Sequence, residues 1–314
     1  MSYTVEQVFH LSNLLLKNIS SVIFDQEKNI KLVLAAVLGG GNILFEDVPG
    51  VGKTMLCRAL AKSIGGDFAR LQCTPDLLPS DLLGTTIYSK KTEDFVFYPG
   101  PVFSNILLAD ELNRATPKMQ SALLECMEER QVTVNGRTYR LPRPFITVAT
   151  QNPIEYEGTF NLPEAQLDRF AMQLSLGYPS PKAEFHMLKA QKQIHPIENL
   201  QSVCTVEQLG TAIEATRSVN VSDAVAKYIV QIVNATRTSA DFVLAASPRA
   251  SQSLYRLSQA WAVINKRNYV LPDDVQELAP YVLPHRMISN HKKPKEIVDE
   301  ILAAVPVVNE QNDI

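Results

Sequence analysis

A glycine-bearing segment near residue 50 has the residue types and spacing of a phosphate-binding loop. It reads Asp47-Val48-Pro49-Gly50-Val51-Gly52-Lys53-Thr54 and matches GxxxxGK[ST] except at the first position, where aspartate replaces glycine. Gly50 and Gly52 allow backbone N–H groups to turn around phosphate oxygens, and the helix that follows points its positive end at them. Lys53 can reach the β- and γ-phosphates, and Thr54 can ligate Mg²⁺. An ordinary glycine turn is the alternative, but the position between an apolar strand and an amphipathic helix favours phosphate binding.

Two adjacent carboxylates follow another apolar segment, residues 106–109. Asp110 and Glu111 stand at the expected carboxyl end of a strand, where α/β sheets bind their ligands. Asp110 would hold Mg²⁺, commonly through water, and Glu111 would orient and polarise an attacking water. Most acidic pairs are merely solvated, so this interpretation depends on the Lys53 segment in the same chain.

Three more polar residues are candidates for a hydrolytic site. Asn152 follows the apolar segment 145–149 and could hydrogen-bond the attacking water or the γ-phosphate; an Asx turn before the next proline is the alternative. Arg169 is either a structural ion-pair residue or an arginine finger for a neighbouring subunit. Arg249 follows Ser247-Pro248, which cap and begin a helix, and could reach a nucleotide that lies between two domains.

The elements that must position these residues alternate through the first half of the chain. Strands that are apolar on both faces and separated by helices predict a parallel sheet covered on both sides. The predicted strands are residues 43–45, 68–71, 106–109, 145–149 and 172–176, and the predicted helices among them are 4–20, 25–38, 53–64 and 116–129. Two hairpins interrupt the alternation, at residues 87–98 and at residues 131–140, where Asn135-Gly136 is a strong hairpin signal.

After Pro181 only helices are predicted. They cover residues 182–192, 206–216, 223–237, 248–266 and 272–278. The predicted organisation is therefore an α/β nucleotide-binding domain over residues 1–179 and a smaller all-helical domain over residues 180–314.

Composition excludes several broad classes of protein. A 46% hydrophobic and 20% charged content predicts a folded core rather than disorder, and a net charge of −3 gives no support to a general nucleic-acid coat. The sequence lacks the pattern of a signal peptide or a membrane span, so we expect a cytoplasmic protein.

The spacing of the cysteines and histidines gives no sign of a metal site. The four cysteines form no CxxC pair, which predicts buried free thiols, and the histidines show no metal-ligand spacing.

Taken together, these segments resemble the AAA+ ATPases, and more specifically the MoxR family. The resemblance extends over roughly residues 20 to 290, and its motifs stand in the family's order. They are Glu46-Asp47-Val48-Pro49-Gly50-Val51-Gly52-Lys53-Thr54, Leu108-Ala109-Asp110-Glu111-Leu112-Asn113-Arg114-Ala115, Ala149-Thr150-Gln151-Asn152-Pro153, Leu162-Pro163-Glu164-Ala165-Gln166-Leu167-Asp168-Arg169-Phe170 and Ser247-Pro248-Arg249-Ala250. Aspartate at position 47 is usual in the family, whereas Asp25-Gln26 departs from its frequent Gly-Gln beside Ile23 and Phe24.

The resemblance implies a P-loop AAA+ core followed by a helical lid domain. Its catalytic residues would be Glu111 and the sensor residue Asn152, with Arg169 as arginine finger and Arg249 as second sensor. Thr54 and Asp110 would hold Mg²⁺, and ATP would bind to Asp47, Pro49, Gly50, Val51, Gly52, Lys53, Thr54 and Met55. The hairpins would be family inserts that face a central pore or a partner in a homo-hexameric ring. MoxR-type proteins are similar to chaperones that remodel or activate partner proteins, often ones with von Willebrand factor A domains, sometimes assisting metal-cofactor insertion.

Three functions can be weighed against these observations. The favoured one is an ATP-driven, chaperone-like remodelling of partner proteins. The second is a nucleic-acid motor of the helicase type, which a basic second hairpin favours (Arg130, Arg137, Arg140 and Arg143) and the acidic net charge disfavours. The third is a nucleotide switch or scaffold without hydrolysis, which the presence of Glu111, Asn152 and the two candidate arginines disfavours.

Overall fold

The computed structural model describes residues 3–152, 159–190 and 196–307. In chain order the helices and strands are α1 (Val5–Ser20), α2 (Glu27–Leu38), β1 (Ile43–Glu46), α3 (Lys53–Ser63), β2 (Phe68–Gln72), α4 (Pro79–Leu83), β3 (Gly84–Ser89), β4 (Asp94–Pro99), β5 (Ile106–Asp110), α5 (Pro117–Glu129), β6 (Gln131–Val134), β7 (Arg137–Arg140), β8 (Ile146–Gln151), α6 (Glu164–Leu167), β9 (Met172–Leu174), α7 (Pro181–Ala190), α8 (Val206–Thr216), α9 (Asp223–Thr238), β10 (Phe242–Leu244), α10 (Pro248–Ile264), α11 (Pro272–Val282), β11 (Ile288–Ser289) and α12 (Pro294–Ala304).

The predicted parallel sheet of five strands is present. Its order is β2-β5-β8-β1-β9, and every neighbouring pair runs parallel. The central strands are buried on both faces, as their apolar sequences require. Because the strands are parallel, the residues that follow β1, β5 and β8 all emerge at the same edge of the sheet. Those residues are the phosphate loop, the acidic pair and Asn152.

Both predicted hairpins are also present. Strands β6 and β7 pair around Asn135 and Gly136, whose φ values of +50° and +76° are those of a type I′ turn. Strands β3 and β4 form the longer hairpin. Phe97 of β4 stacks on Tyr139 of β7 with ring centroids 4.2 Å apart, so the two hairpins lie against each other. Tyr88 and Phe95 lie further out and remain more than half exposed.

The part of the chain after residue 180 is mainly helical. The expectation of helices alone misses β10 and β11, which form a small antiparallel pair. These strands are too short for a period-2 pattern, and their partners lie far apart in sequence. Helix α12 was also not predicted, although Ile297 and Ile301 are buried at helical spacing. Residues 191–192 of the predicted helix 182–192 lie outside the described residues.

The N-terminal helices connect the two parts of the chain. Helix α1 packs against α3 as well as α8 and α10, and α2 packs against α10. One continuous hydrophobic core therefore includes side chains from both parts, such as Leu15, Leu34 and Leu257. The boundary at residue 179 stays a prediction. Within the described residues, no helix has the length and apolar character needed to span a membrane.

Candidate functional site

The phosphate loop joins β1 to the first turn of α3. Gly50 and Gly52 have φ values of +85° and +100°, a conformation that glycine adopts without the steric penalty of a Cβ atom. Gly52 directly precedes α3, so the loop's N–H groups and the positive end of the helix face the same space. Both glycines therefore adopt the backbone conformation that a phosphate-binding loop needs at these positions.

Lys53 begins α3 and is almost fully buried. Its ammonium donates hydrogen bonds to the carbonyl oxygens of Asp47, at 3.1 Å, and Val48, at 3.0 Å. Desolvation by burial lowers the pKa of Lys53, and the negative charges of Asp47, Asp110 and Glu111 partly oppose that shift. The lysine is therefore a buried cation held by the loop next to the acidic pair.

Asp47 stands at the first position of the loop, where the general phosphate-loop pattern has glycine, and its carboxylate is fully engaged in hydrogen bonds. Its Oδ1 accepts a hydrogen bond from its neighbour Val48. Its Oδ2 accepts from the backbone N–H groups of Leu176, at 2.6 Å, and Gly177, at 3.1 Å. The aspartate thus ties the start of the phosphate loop to the chain that leaves β9. These bonds also end β9 at Leu174, two residues before the predicted end of that strand.

Asp110 ends β5 and is held by two neighbouring strands. Its Oδ1 accepts from the hydroxyl of Thr150 on β8 at 2.7 Å. Its Oδ2 accepts from the Arg70 guanidinium on β2, through Nε at 3.1 Å and Nη2 at 2.7 Å. The carboxylate is mostly buried while Arg70 is half exposed, so Arg70 covers it on the solvent side.

Glu111 has a left-handed backbone, with φ +57° and ψ +50°, which is uncommon for a residue with a side chain and often marks a functional position. Its N–H donates to the Thr150 hydroxyl at 2.8 Å. Its Oε2 accepts from Gln72 Nε2 at 2.9 Å and from Arg114 Nη1 at 3.1 Å. Contacts on both sides therefore fix the direction of this carboxylate.

A single cavity of about 410 Å³ collects most of the predicted site residues at the edge of the sheet. Its lining is Asp47, Pro49, Gly50, Gly52, Lys53, Thr54, Met55, Arg70, Asp110, Glu111, Thr150, Gln151 and Asn152. We call it the phosphate cavity. Asn152 stands one residue past β8, and the Asx turn considered for it would involve Pro153, outside the described residues.

A second, more apolar cavity of about 220 Å³ adjoins the first and shares Gly50, Gly52 and Met55 with it. Its lining is Val22, Ile23, Phe24, Gln26, Gly50, Val51, Gly52, Met55, Pro179, Met187 and Pro196. Val51, the remaining predicted loop residue, lies here. Ile23 and Phe24 line it despite the unusual Asp25-Gln26 that follows them.

Arg169 and Arg249 are brought together, but not at the phosphate cavity. Both line a separate cavity of about 300 Å³, which we call the arginine cavity. Arg169 Nε lies 3.0 Å from Oε2 of Glu128, and Arg249 Nη2 contacts Oε1 of the same carboxylate. Arg249, which was expected to reach a nucleotide between the two domains, lines the arginine cavity and is not among the residues that line the phosphate cavity.

Comparisons with known proteins agree with this arrangement. Residues 42–172 match the family described as "ATPase family associated with various cellular activities (AAA)", and residues 234–305 match an AAA lid domain. The chain is 39% identical over 308 residues to Chaperone MoxR1 of Mycobacterium tuberculosis, covering 93% of this chain and 81% of that protein. It belongs to the MoxR family of AAA+ ATPases.

Two further similarities extend over most of this MoxR-family chain. It is 52% identical over 282 residues to the uncharacterized protein YeaC of Bacillus subtilis (strain 168), covering 88% of each. A crystal structure from Cytophaga hutchinsonii, provisionally described as an ATPase, superposes with a TM-score of 0.89 at 38% identity. The match covers 96% of this chain and 97% of that one.

Sequence reasoning missed several polar residues around both cavities. Gln72 ends β2, the neighbour of β5, so the strand-end argument applied to Asp110 would have found it, whereas Arg70 lies in the middle of β2 and carries no such signal. Thr150 lies within the motif that contains Asn152. Glu128 ends a helix and Arg286 lies far along the chain, and no local pattern connects either of them to an arginine motif.

The donor set of the phosphate cavity suits Mg²⁺ together with a nucleoside triphosphate. The Thr54 hydroxyl and the Asp110 carboxylate both line it, and Mg²⁺ prefers hard oxygen ligands supplied by a few side chains and phosphates. Among the described residues, no cluster of three or more His, Cys, Asp or Glu side chains forms an all-protein metal site. The four cysteines are free and buried, as predicted.

Proposed function

We propose that this chain hydrolyses ATP to ADP and phosphate with Mg²⁺, and that the reaction drives chaperone-like remodelling of partner proteins. The observation that carries the proposal is the convergence of Lys53, Asp110, Glu111 and Asn152 on one cavity at the carboxyl edge of the sheet. Membership of the MoxR family supports the nucleotide chemistry.

The phosphate loop would bind the triphosphate. The N–H groups around Gly50 and Gly52 donate to phosphate oxygens, and Lys53 places a buried positive charge beside them. Thr54 and Asp110 would hold Mg²⁺, which neutralises phosphate charge when it is bound. Thr150 and Arg70 donate hydrogen bonds to the Asp110 carboxylate, which would fix its direction toward the ion.

Glu111 would accept a hydrogen bond from the attacking water and polarise it. Gln72 and Arg114 hold Oε2 of its carboxylate, and Oε1, for which the described residues provide no hydrogen-bond donor, would accept from the water. Asn152 would bind the same water or the γ-phosphate from the neighbouring strand end. Such positioning of the nucleophile and the charge is the main contribution that a protein makes to phosphoryl transfer.

The adjoining apolar cavity is a suitable place for the base. Phe24, Met55 and Pro179 provide apolar surface on several sides, as is usual where a small ligand is enclosed. The cavity shares the phosphate loop with the phosphate cavity, so one nucleotide could span both. Asp47 links that loop to Leu176 and Gly177 after β9. A nucleotide bound to the loop would thus be connected to the segment that leads into the helical part of the chain.

Arg169 and Arg249 would act on the nucleotide of a neighbouring subunit in a homo-hexameric ring. They lie together at a cavity separate from their own phosphate cavity. Two guanidinium groups from one subunit could stabilise charge on the γ-phosphate held by the next. In this arrangement each site is complete only between two subunits.

The partner would be a protein, including partners with a von Willebrand factor A domain. Tyr88 and Phe95 on the longer hairpin expose aromatic surface beyond what the hairpin packing needs, and such surface favours protein contacts. One relative is named a chaperone.

A nucleic-acid motor is the second candidate. Arg137, Arg140 and Arg143 are exposed on or beside the second hairpin. DNA that stimulated ATP hydrolysis, with the stimulation lost steeply as salt rises, would support it over protein remodelling.

Trapping the ATP-bound state tests the main proposal. Glu111→Gln should bind ATP, turn over slowly and retain a protein partner from its native cell extract in an ATP-dependent manner. Glu125→Gln, an exposed acid on α5, is the matched control and should behave like the wild type. Near-normal ATP turnover by Glu111→Gln would contradict the assigned chemistry, and capture that does not depend on ATP would contradict ATP-driven remodelling.

A further inference from the structure

Glu128 contacts both arginines of the arginine cavity. It lies near the end of α5, and its carboxylate is about one-third exposed. One oxygen lies against Arg169 from the loop before β9, and the other contacts Arg249 from the start of α10. A single carboxylate thus pairs with two cations from different parts of the fold, with Arg249 through a hydrogen bond and with Arg169 through charge alone, since Arg169 Nε makes no hydrogen bond among the described residues.

The backbone segments that carry the two arginines are also linked to each other through Asp168 and Ser247. Asp168, directly before Arg169, accepts a hydrogen bond from the Ser247 hydroxyl, with 2.8 Å between that oxygen and Oδ2. Ser247 in turn caps α10 by accepting from the N–H of Arg249 at 3.1 Å. The fully buried Arg286 side chain donates to Asp168 Oδ1 at 3.0 Å and to the Phe170 carbonyl at 2.6 Å.

Two carboxylates therefore fix the pair, Asp168 at the backbone and Glu128 at the side chains. Without a shared anion, neighbouring guanidinium groups would repel each other and separate. Glu128 contacts Arg169 through Nε, the edge of the guanidinium furthest from its terminal fork. Among the described residues nothing accepts from the Nη groups of Arg169, so the fork is available for a bidentate phosphate contact.

We propose that Glu128 is a positioning residue that holds Arg169 and Arg249 as one unit, so that both reach the same phosphate of a neighbouring subunit's nucleotide. The inference rests on the proposed function, in which these arginines act across a subunit boundary. Glu128 does not touch the nucleotide. Its effect is to place two cations at once.

Steady-state kinetics give the first test. Glu128→Ala should lower kcat for ATP hydrolysis on the order of tenfold, because misplaced catalytic groups lose most of their effect. KM for ATP should stay unchanged, since the phosphate cavity of the same subunit is intact. The kcat of Glu128→Gln should lie between those of the wild type and Glu128→Ala, because the glutamine oxygen can still accept a hydrogen bond from one arginine. Glu125→Ala on the same helix should match the wild type, and an unchanged or raised kcat in Glu128→Ala would overturn the proposal.

Mixed rings separate a positioning role from a structural one. Glu128→Ala subunits keep a complete phosphate cavity, and Lys53→Ala subunits keep a complete arginine cavity. Mixing the two should raise ATP hydrolysis well above that of Glu128→Ala alone. Absence of any rise would mean that Glu128 acts within its own subunit, and the proposal would be wrong.

A parallel mixture distinguishes failure of this inference from failure of the proposed function. Arg169→Ala subunits are mixed with the same Lys53→Ala subunits. If this mixture regains activity and the Glu128→Ala mixture does not, only the role of Glu128 is refuted. If neither mixture regains activity, the action of the arginines between subunits is refuted as well.

Discussion

The phosphate cavity and the arginine cavity are built in opposite ways. The phosphate cavity collects residues from the ends of parallel strands, and the register between β2, β5 and β8 sets the distances between Arg70, Asp110 and Thr150. The arginine cavity joins a loop, the end of α5 and the start of α10. Within the described part of the chain no backbone hydrogen-bond ladder links these elements, and the carboxylates of Glu128 and Asp168 connect them instead.

The difference shows where each cavity is vulnerable. A sheet edge is held by many backbone hydrogen bonds, so single substitutions there remove a chemical group and leave the frame in place. The arginine cavity depends on a few charged contacts, of which Asp168–Arg286 is nearly buried. Removing one partner of a buried ion pair leaves the other charge buried and unpaired. Substitutions near this cavity should therefore alter both the position of the arginines and the stability of the protein.

The largest effect is expected at the phosphate loop. Lys53→Ala removes the only buried cation that contacts this loop among the described residues. ATP affinity should fall about 100-fold or more, which corresponds to roughly 3 kcal/mol for a lost charged hydrogen-bonding group. Titration with a fluorescent ATP analogue measures the affinity of the variant and of the wild type. Lys62→Ala, at the other end of α3, is the control, and tight ATP binding by Lys53→Ala would show that the cavity is not organised around this lysine.

A smaller effect, confined to the chemical step, is expected at Glu111. Glu111→Gln preserves the shape of the side chain but removes the basic oxygen. We expect kcat to fall by about 100-fold, at the lower end of the range for loss of a general base, while ATP affinity stays within about threefold of the wild type. Single-turnover measurements separate binding from hydrolysis. Equal losses of affinity and rate would instead indicate that the cavity had been disturbed.

The smallest effect concerns the stability of the frame around the arginine cavity. Burial, with a further contribution from the charge of Arg286, lowers the pKa of His285 to about 3. The folded protein then keeps this ring neutral below the unfolded pKa of about 6.5, whereas the unfolded chain takes up a proton. Folding should therefore lose stability as pH falls from 6.5 toward 3, by on the order of 2 kcal/mol at pH 5 from this residue.

His285→Gln tests that contribution because glutamine can still donate to the Phe170 carbonyl, which lies 3.0 Å from Nε2 of His285. Urea unfolding at pH 7 and pH 5 gives the measurement. The variant should lose about 2 kcal/mol less than the wild type between these two pH values. An identical loss in both proteins would show that His285 does not titrate as its burial requires.

Most residues of the phosphate cavity could be predicted from the sequence alone. Apolar strands alternating with helices imply a parallel sheet, and a parallel sheet brings its strand ends together. Lys53, Asp110, Glu111 and Asn152 could therefore be placed near one another without coordinates. The same strand-end position holds Gln72 of β2, which contacts Glu111, whereas Arg70, which contacts Asp110, lies in the middle of β2 and has no such signal in the sequence.

The arginine cavity could be anticipated only by resemblance. Arg169 and Arg249 stand 80 positions apart, and nothing in their local patterns shows that they meet at Glu128. The β10–β11 pair was missed for a related reason, because its pairing is long-range and its strands are too short to carry a period. Tertiary contacts between helices and loops have no counterpart in local sequence periodicity.

In the proposed ring, the arginine cavity of one subunit completes the phosphate cavity of the next. We therefore propose to measure ATP hydrolysis by an equimolar mixture of Lys53→Ala and Arg169→Ala subunits. Each variant alone should be nearly inactive, and random mixing into rings should restore roughly one quarter of the wild-type rate, since one interface in four pairs two intact cavities. A mixture no more active than its separate components would contradict the claim.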